Sequence, residues 1–427
     1  MVEALVIVLL FALIAIGVPI AVAILGAAFV GVWALRGELG VLNAALAFFE
    51  GATSFPLIAI PLFILAGSLM NTGGISRRLI AFVSSLIGFM RGGLAMVNVG
   101  VSLFFAEISG SAVADVAAIG TVLIPEMKRK GYKARFAAAV TSSSASLAII
   151  IPPSIPMILY GAMANVSIVQ LFVAGIIPGL LGGFSMMVLC WYLAVKYDLP
   201  RDERFSLRRV WTSFVDAGWA LLLPVIILGG IFGGVVTATE GAGLAVLAAL
   251  LIGVFIYREV RLEEIARALV DGVVQTATVM LLVAASAVLG LYITETQTPQ
   301  RFASAILALS NEKWVILVMM NVVLFLIGMV LHGAAAIILV TPVALPLIQQ
   351  AGIDPVHFGI ILTLNIAVGQ QTPPVASVLA TACSIAKTDI WSTTRANVPF
   401  VVILLAVVLL VSYVPAVSLG LVRWIYG

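Results

Sequence analysis

The apolar text of this chain is written twice, and each copy is interrupted at the same place. Pro125, Gly131 and the pair Pro152-Pro153 recur as Pro346, Gly352 and Pro373-Pro374, and each difference (346−125, 352−131, 373−152, 374−153) is 221 residues. A proline pair stops a helix, because the ring removes an N–H and collides with the carbonyl about four residues earlier. Two such interruptions in register, both inside apolar sequence, define a unit that has to be built the same way twice.

Composition fixes the solvent around that unit. Of 427 residues 63% are hydrophobic and 10% charged, where a soluble domain carries about 25% charge. The runs 2–34, 221–257 and 398–422 are long enough for one or two crossings of a bilayer core roughly 30 Å thick, so the chain reads as an all-α polytopic membrane protein in contact with lipid. The first run lacks a basic n-region, carries Glu3 and stays apolar beyond a signal's h-region, so a retained span is expected there. A net charge of +3 gives no sign of nucleic acid. Cys190 and Cys383 lie inside apolar runs, and no HExxH, CxxC or phosphate-cradling glycine loop occurs. Metalloenzyme, redox and ATP-driven chemistry are disfavoured, no enzyme activity is indicated, and no organic cofactor is expected.

Charge orients the copies. The connector EMKRKGYKAR carries Lys128, Arg129, Lys130, Lys133 and Arg135, whereas its counterpart LIQQAGIDPVH carries Asp354 and no basic residue. Basic connectors stay in the cytoplasm, so the two copies are expected to face opposite ways. Three further basic groups are placed inside with the first connector: Lys196, Arg201, Arg204, Arg208 and Arg209; Arg258, Arg261 and Arg267; and Lys387 with Arg395. The resulting spans are near 3–33, 52–71, 132–163 (broken), 168–195, 216–236, 241–257, 268–293, 357–384 (broken) and 397–420, with a cytoplasmic N-terminus and a periplasmic C-terminus. Segments 92–127 and 314–346 then enter and leave on one side, with tips at EISGS and GMVLHG. The segment near 216–236 is the odd linker that inverts the second copy. Segments 75–91 and 299–313 match in position and are expected as amphipathic arms along the interface.

This divides the chain into scaffold spans and arm of the first repeat (1–91), its hairpin and broken helix (92–167), scaffold spans, linker and second arm (168–313), the second hairpin and broken helix (314–396), and a last span (397–427).

The breaks are the candidate site. Unwound backbone survives in a bilayer only where protein, water or an ion satisfies it. Pro152 and Pro153 leave Ala148 and Ile149 without helical donors, and Pro373 and Pro374 do the same for Gly369 and Gln370. Such oxygens are hard ligands of the kind an alkali cation accepts. If each break packs on the hairpin tip of its own repeat, one cation position takes Ala106, Ser109, Ala148, Ile151 and Pro153, and the other takes Gly328, Gly369, Thr372 and Val375. Between the tips, Ser109, Ser111, Asp115, Ser154, Gln370, Gln371 and Thr372 are the candidate substrate ligands. Half-helix N-termini pointing inward favour an anion, most simply a carboxylate. Glu240, after TAT at a span boundary, reads as a first-turn residue, and His332 and His357 read as hydrogen-bonded structural residues.

The runs FPLIAIPLFILAGSLMNTGGISRRL (55–79), SGSAVAD (109–115), IIIPPSIPMILYG (149–161), LFVAGIIPGLL (171–181), TATEGAG (237–243) and GIDPVHFGIILTLNIAVGQQTPP (352–374) resemble the large membrane subunit of TRAP transporters, the DctM-like family, over nearly the whole chain. That resemblance implies an elevator-type secondary transporter in the bacterial inner membrane, driven by sodium and taking up an organic acid such as a C4-dicarboxylate or sialic acid. It implies two partners, a small four-helix membrane subunit (DctQ-like) and a periplasmic substrate-binding protein (DctP-like). The family's SGSxxAD tip falls on Ser109, Gly110, Ser111, Ala114 and Asp115, and its proline clamps on Pro152, Pro153, Pro373 and Pro374. Two positions depart from its pattern: Glu107 is a charge where a small residue is expected, and Gln370-Gln371 stand where an apolar residue commonly precedes Thr-Pro-Pro. The alternative reading is a stand-alone sodium-coupled dicarboxylate transporter or exchanger of related fold.

Overall fold

The structure is a computed structural model that describes residues 2–200, 205–260 and 262–427, leaving out the side chains of 2–4, 107–109, 262 and 264. Arg201, Arg204 and Arg261 of the basic groups lie outside the described residues, as do the side chains of Glu3, Glu107 and Ser109. All regular structure among the described residues is helical, and eight helices are long and apolar enough to cross a membrane.

The 221-residue repeat is a repeat of elements. The first hairpin is Gly93–Ser109 and Ala112–Arg129, and the second is Lys313–Val330 and Gly333–Gln350. Adding 221 to 112 and 129 gives 333 and 350. The first broken helix is Ala134–Ala145, a tighter turn Ser146–Ile149, then Ile155–Ala164; the second is Pro355–Gly369 and Ser377–Ala386. Gly131 (φ +88) and Gly352 (φ +64) turn each hairpin into its broken helix in the left-handed region, where glycine is the residue without a Cβ penalty. Both Pro-Pro bonds are cis.

Both hairpins are re-entrant, and they enter from opposite ends. At one end the Gly92 N–H donates to Pro200 C=O (3.2 Å), while Gly131 shares a cavity with Pro200 and Arg395. The ammonium of Lys128 donates to Ala386 C=O at 3.0 Å. The feet of the second hairpin are joined by Lys313 Nζ donating to Gly352 C=O at 3.0 Å, beside Tyr413 and Arg423. Helix Ile390–Tyr413 runs from the first end to the second, and its 24 residues make about 36 Å. The repeats are therefore inverted, with Lys130 and Asp354 at opposite ends.

Around the hairpins the chain forms two bundles. Helix Leu262–Glu295 is the spine of the scaffold, packed by Ile20–Arg36, Glu38–Ala52 and Ala59–Thr72. Helix Ala238–Leu251 packs on Ala59–Thr72 and meets the linker helix Leu207–Phe232. The expected arms are the helices Ile75–Ile87 and Thr298–Leu309. Arg78 pins the first arm to the scaffold: its guanidinium lies 3.7 Å over the Tyr257 ring, 2.9 Å from Glu259 and 3.3 Å from Asp216.

Four expectations are corrected. Segment 3–33 is two antiparallel helices, Val2–Ala15 and Ile20–Arg36. A Cβ on Gly31 would touch Val6 and one on Gly26 would touch Leu13, so the chain doubles back through Gly17 (φ +86) and Pro19. Arg36 pairs with Glu295 at 3.1 Å, the far end of a spine whose 34 residues make about 51 Å. The start of Val2–Ala15 therefore lies opposite the basic loops, and the reasoning that set the N-terminus beside them falls. Second, Glu38–Ala52 is a helix that the span list omits, begun by Gly37 (φ +60). Third, the last segment is Ile390–Tyr413 followed, after Val414-Pro415, by Ala416–Tyr426. Fourth, Ile168–Lys196, grouped above with the scaffold, packs on the first hairpin, both broken helices, Ile390–Tyr413 and Ala416–Tyr426.

Candidate functional site between the hairpin tips

Each break is held by the tip of its own hairpin. A Cβ on Gly110 would lie 2.9 Å from Pro153 O, and one on Gly369 would lie 2.5 Å from the carbonyl carbon of Gly328. The Val375 N–H donates to Met329 C=O at 3.2 Å. Small residues at these crossings let backbone touch backbone.

The structure brings Gly328, Gly369 and Val375 together, while the half-buried Thr372 turns its hydroxyl back to Val368 C=O at 3.2 Å. In the other copy, Ala106 and Ala148 are fully buried, Ile151 nearly so, and the tight turn carrying Ala148 packs along Gly93–Ser109. The carbonyls freed by proline are partly taken by protein. Ile149 C=O accepts from Ser154 Oγ (2.6 Å), Gly369 C=O from the Thr372 N–H (2.8 Å) and Gln370 C=O from the Val378 N–H (3.2 Å).

Between the tips lies a cavity of about 480 Å³. One wall is the hairpin bundle: Gly110, Ser111, Ala114, Ile149, Ile155, His332, Gly333 and Gln370. The other is scaffold: Ile64, Val274, Gln275, Thr278 and Leu282. Three helices start at this wall, Ala112–Arg129, Gly333–Gln350 and Ile155–Ala164, so their positive dipole ends face the cavity. Among the described residues no Lys, Arg, Asp or Glu lines it. The Gln370 side chain is buried, with Nε2 lacking a hydrogen-bond partner among the described residues. Neutral donors and helix ends around a mostly apolar space suit a small organic anion.

The other expected ligands lie elsewhere. Ser154 is the N-cap of Ile155–Ala164, bonded to Ile149 C=O and the Met157 N–H. Asp115 is fully buried and faces away from the cavity, into which Ala114 and Ala117 look. Gln371 and Thr372 also miss it; Gln371 points into the other repeat. Glu240 closes a capping box with Thr237, as its position suggested, and His357 bonds Ser418 Oγ through Nδ1 at 2.7 Å. Gln275, Thr278 and His332 are cavity residues that the sequence reading did not assign. The signal was present for the first two, polar positions three apart within an otherwise apolar stretch of the spine.

Inverted repeats, paired re-entrant hairpins and a cavity at their meeting point define a multi-pass membrane transport protein, not an enzyme. Comparison with known proteins makes this specific: the model of the DctM component of tripartite ATP-independent periplasmic transporters matches residues 7–417, and the chain belongs to that family. It is similar to the C4-dicarboxylate TRAP transporter large permease protein DctM of Pseudomonas aeruginosa, 39% identical with 90% of each chain covered. It is also similar to the sialic acid TRAP transporter large permease protein SiaM of Vibrio cholerae, 36% identical with 92% of each covered. An isethionate TRAP transporter permease protein DctMQ of Oleidesulfovibrio alaskensis is 39% identical, and this chain spans 64% of its length. The crystal structure of the Alcanivorax borkumensis YdaH transporter shares the fold, with a TM-score of 0.65 at 16% identity over 90% of each chain.

Proposed function

We propose that this subunit carries out sodium-gradient-driven uptake of a small organic acid across the bacterial inner membrane. The observation that carries the reading is the cavity of about 480 Å³ between the two tips, walled on one side by hairpins and on the other by scaffold. The hairpins and broken helices form one packed unit with Ile168–Lys196 and Ile390–Tyr413, which moves as a body past the spine, an elevator in which the arms are the connecting rods. Sodium sits where each break meets its tip, in one copy on carbonyls near Ala106, Ala148 and Ile151, in the other at Gly328, Gly369, Thr372 and Val375. The organic acid places its carboxylate against the N-termini after Ser111 and His332 and the amide of Gln370.

The basic loops face the cytoplasm, which puts the end bearing Asp354 on the periplasmic side. There a substrate-binding protein delivers the acid, and a small four-helix subunit docks on the scaffold. The relatives named for C4-dicarboxylates and sialic acid make carboxylates of that size the substrates to try first.

Proteoliposomes containing this chain, with and without a small subunit and a binding protein, test the proposal. Concentrative uptake should need an inward sodium gradient and both partners. Uptake that persists after the sodium gradient is collapsed overturns sodium coupling; uptake with this chain alone favours the stand-alone exchanger.

A further inference from the structure

At the breaks themselves, the two broken helices are joined to each other by the side chain of Gln371. Its Nε2 donates to Ser146 Oγ at 2.6 Å and to Ala367 C=O at 3.2 Å; its Oε1 lies 2.7 Å from Ser143 Oγ and 3.3 Å from Asn397 Nδ2. Asn397, on Ile390–Tyr413, completes the cluster, with Oδ1 2.6 Å from Ser143 Oγ. Ser146 Oγ in turn donates to Ser143 C=O at 2.7 Å. All four side chains are at most 1% exposed, so no water competes for these bonds.

Position along the chain gives the cluster its meaning. Ser146 is two residues before Ala148, within the turn that begins the first break, and Gln371 lies between Gly369 and Thr372 in the second. A shift of either break changes bonds held by the other, because a glutamine with its amide donors and acceptor all engaged cannot follow one partner without leaving another.

The geometry points to Gln371 as a positioning residue that couples the two cation sites, so that filling the break of one repeat organises the break of the other. This rests on the sodium reading above. A bridge between the sites shared by both states would leave binding independent; one whose bonds depend on both breaks makes it cooperative.

The test is the sodium dependence of uptake in the complete three-component proteoliposome, together with sodium-dependent thermal protection of the purified subunit. Wild type should show a Hill coefficient above 1 in both. Gln371→Leu should fall to about 1 and need about fivefold more sodium for half-activation, with a saturable sodium response retained. Ser146→Ala, which removes one of the bonds made by Gln371, should shift both measures in the same direction by less, and adding it to Gln371→Leu should change little further. Should Gln371→Leu fail to fold, Ser146→Ala alone decides. Cooperativity unchanged in these variants, or absent in wild type, overturns the coupling while leaving sodium drive intact. A wild type indifferent to sodium overturns both.

Discussion

Asn365 donates through Nδ2 to Asn321 Oδ1 at 2.7 Å, tying the second broken helix to the first arm of its hairpin. Subtracting 221 from 365 gives Ser144, whose hydroxyl lies 3.0 Å from Asn98 Oδ1 on the matching arm of the first hairpin. The same helix turn in both repeats thus fastens a breaking helix to its hairpin by a buried polar bond, in surroundings where a lost partner is not replaced by water.

Replacing Asn365 by Leu should cost about 0.5–2 kcal/mol, the range for interhelical bonds in membranes, and lower the melting temperature of the purified subunit. Asn321→Leu on top of it should cost less than the sum of the single changes. Strict additivity in detergent melts counts against the pair as a fastener.

Gly369→Ala introduces a methyl 2.5 Å from the Gly328 carbonyl carbon, with backbone as the neighbour. Backbone does not yield as a side chain end does, so tip and break separate at a cost of about 1–3 kcal/mol. Uptake should fall at least about tenfold, whereas Gly218→Ala, with nothing within 4 Å of the new methyl, should leave it unchanged. Normal uptake by Gly369→Ala disproves the close fit.

Gln370→Met keeps length and removes the amide donor that has no partner among the described residues. The half-saturating concentration of the organic acid should rise about tenfold, the equivalent of about 1.4 kcal/mol. The sodium response should move little. An unaltered substrate curve removes Gln370 from the binding wall.

Thr372→Val is nearly isosteric and deletes one hydroxyl, now 3.2 Å from Val368 C=O. Sodium activation should weaken, by about fivefold in the half-activating concentration, more than the yield of folded protein. Identical sodium curves would count against the second cation position.

Cysteines placed at Lys130 and Asp354 should react with a membrane-impermeant thiol reagent from opposite sides, since the two positions cap opposite ends of the inverted repeats. The native Cys190 and Cys383 are buried and give little background. Labelling of both positions from one side would contradict the inverted arrangement itself.

Much of this architecture is legible without coordinates. The 221-residue offset predicts both hairpins and both breaks, because proline and glycine act on the backbone wherever they stand. The basic connector around Lys130 and the one around Gly352, which carries Asp354 and no basic residue, orient the two copies oppositely by charge alone. The doubling back at Gly17-Val18-Pro19 was equally visible in composition, but an apolar run long enough to cross once hides a turn placed in its middle.

What only the tertiary structure decided is where neighbouring polar residues look. Gln370 and Gln371 are adjacent and chemically identical, yet one meets the cavity and the other crosses to Ser146 of the first repeat. Inside a helix the 3.6-residue period would have separated their directions; in unwound backbone no period exists, and direction is set by the neighbours that pack around it. Asp115 and Ser154 are likewise turned into the bundle by the segments packed on them, while Gln275 and Thr278, 165 or more positions from Gly110, complete the cavity wall. The sequence on its own determined that the helices break and where; contact between distant segments determined what each break faces.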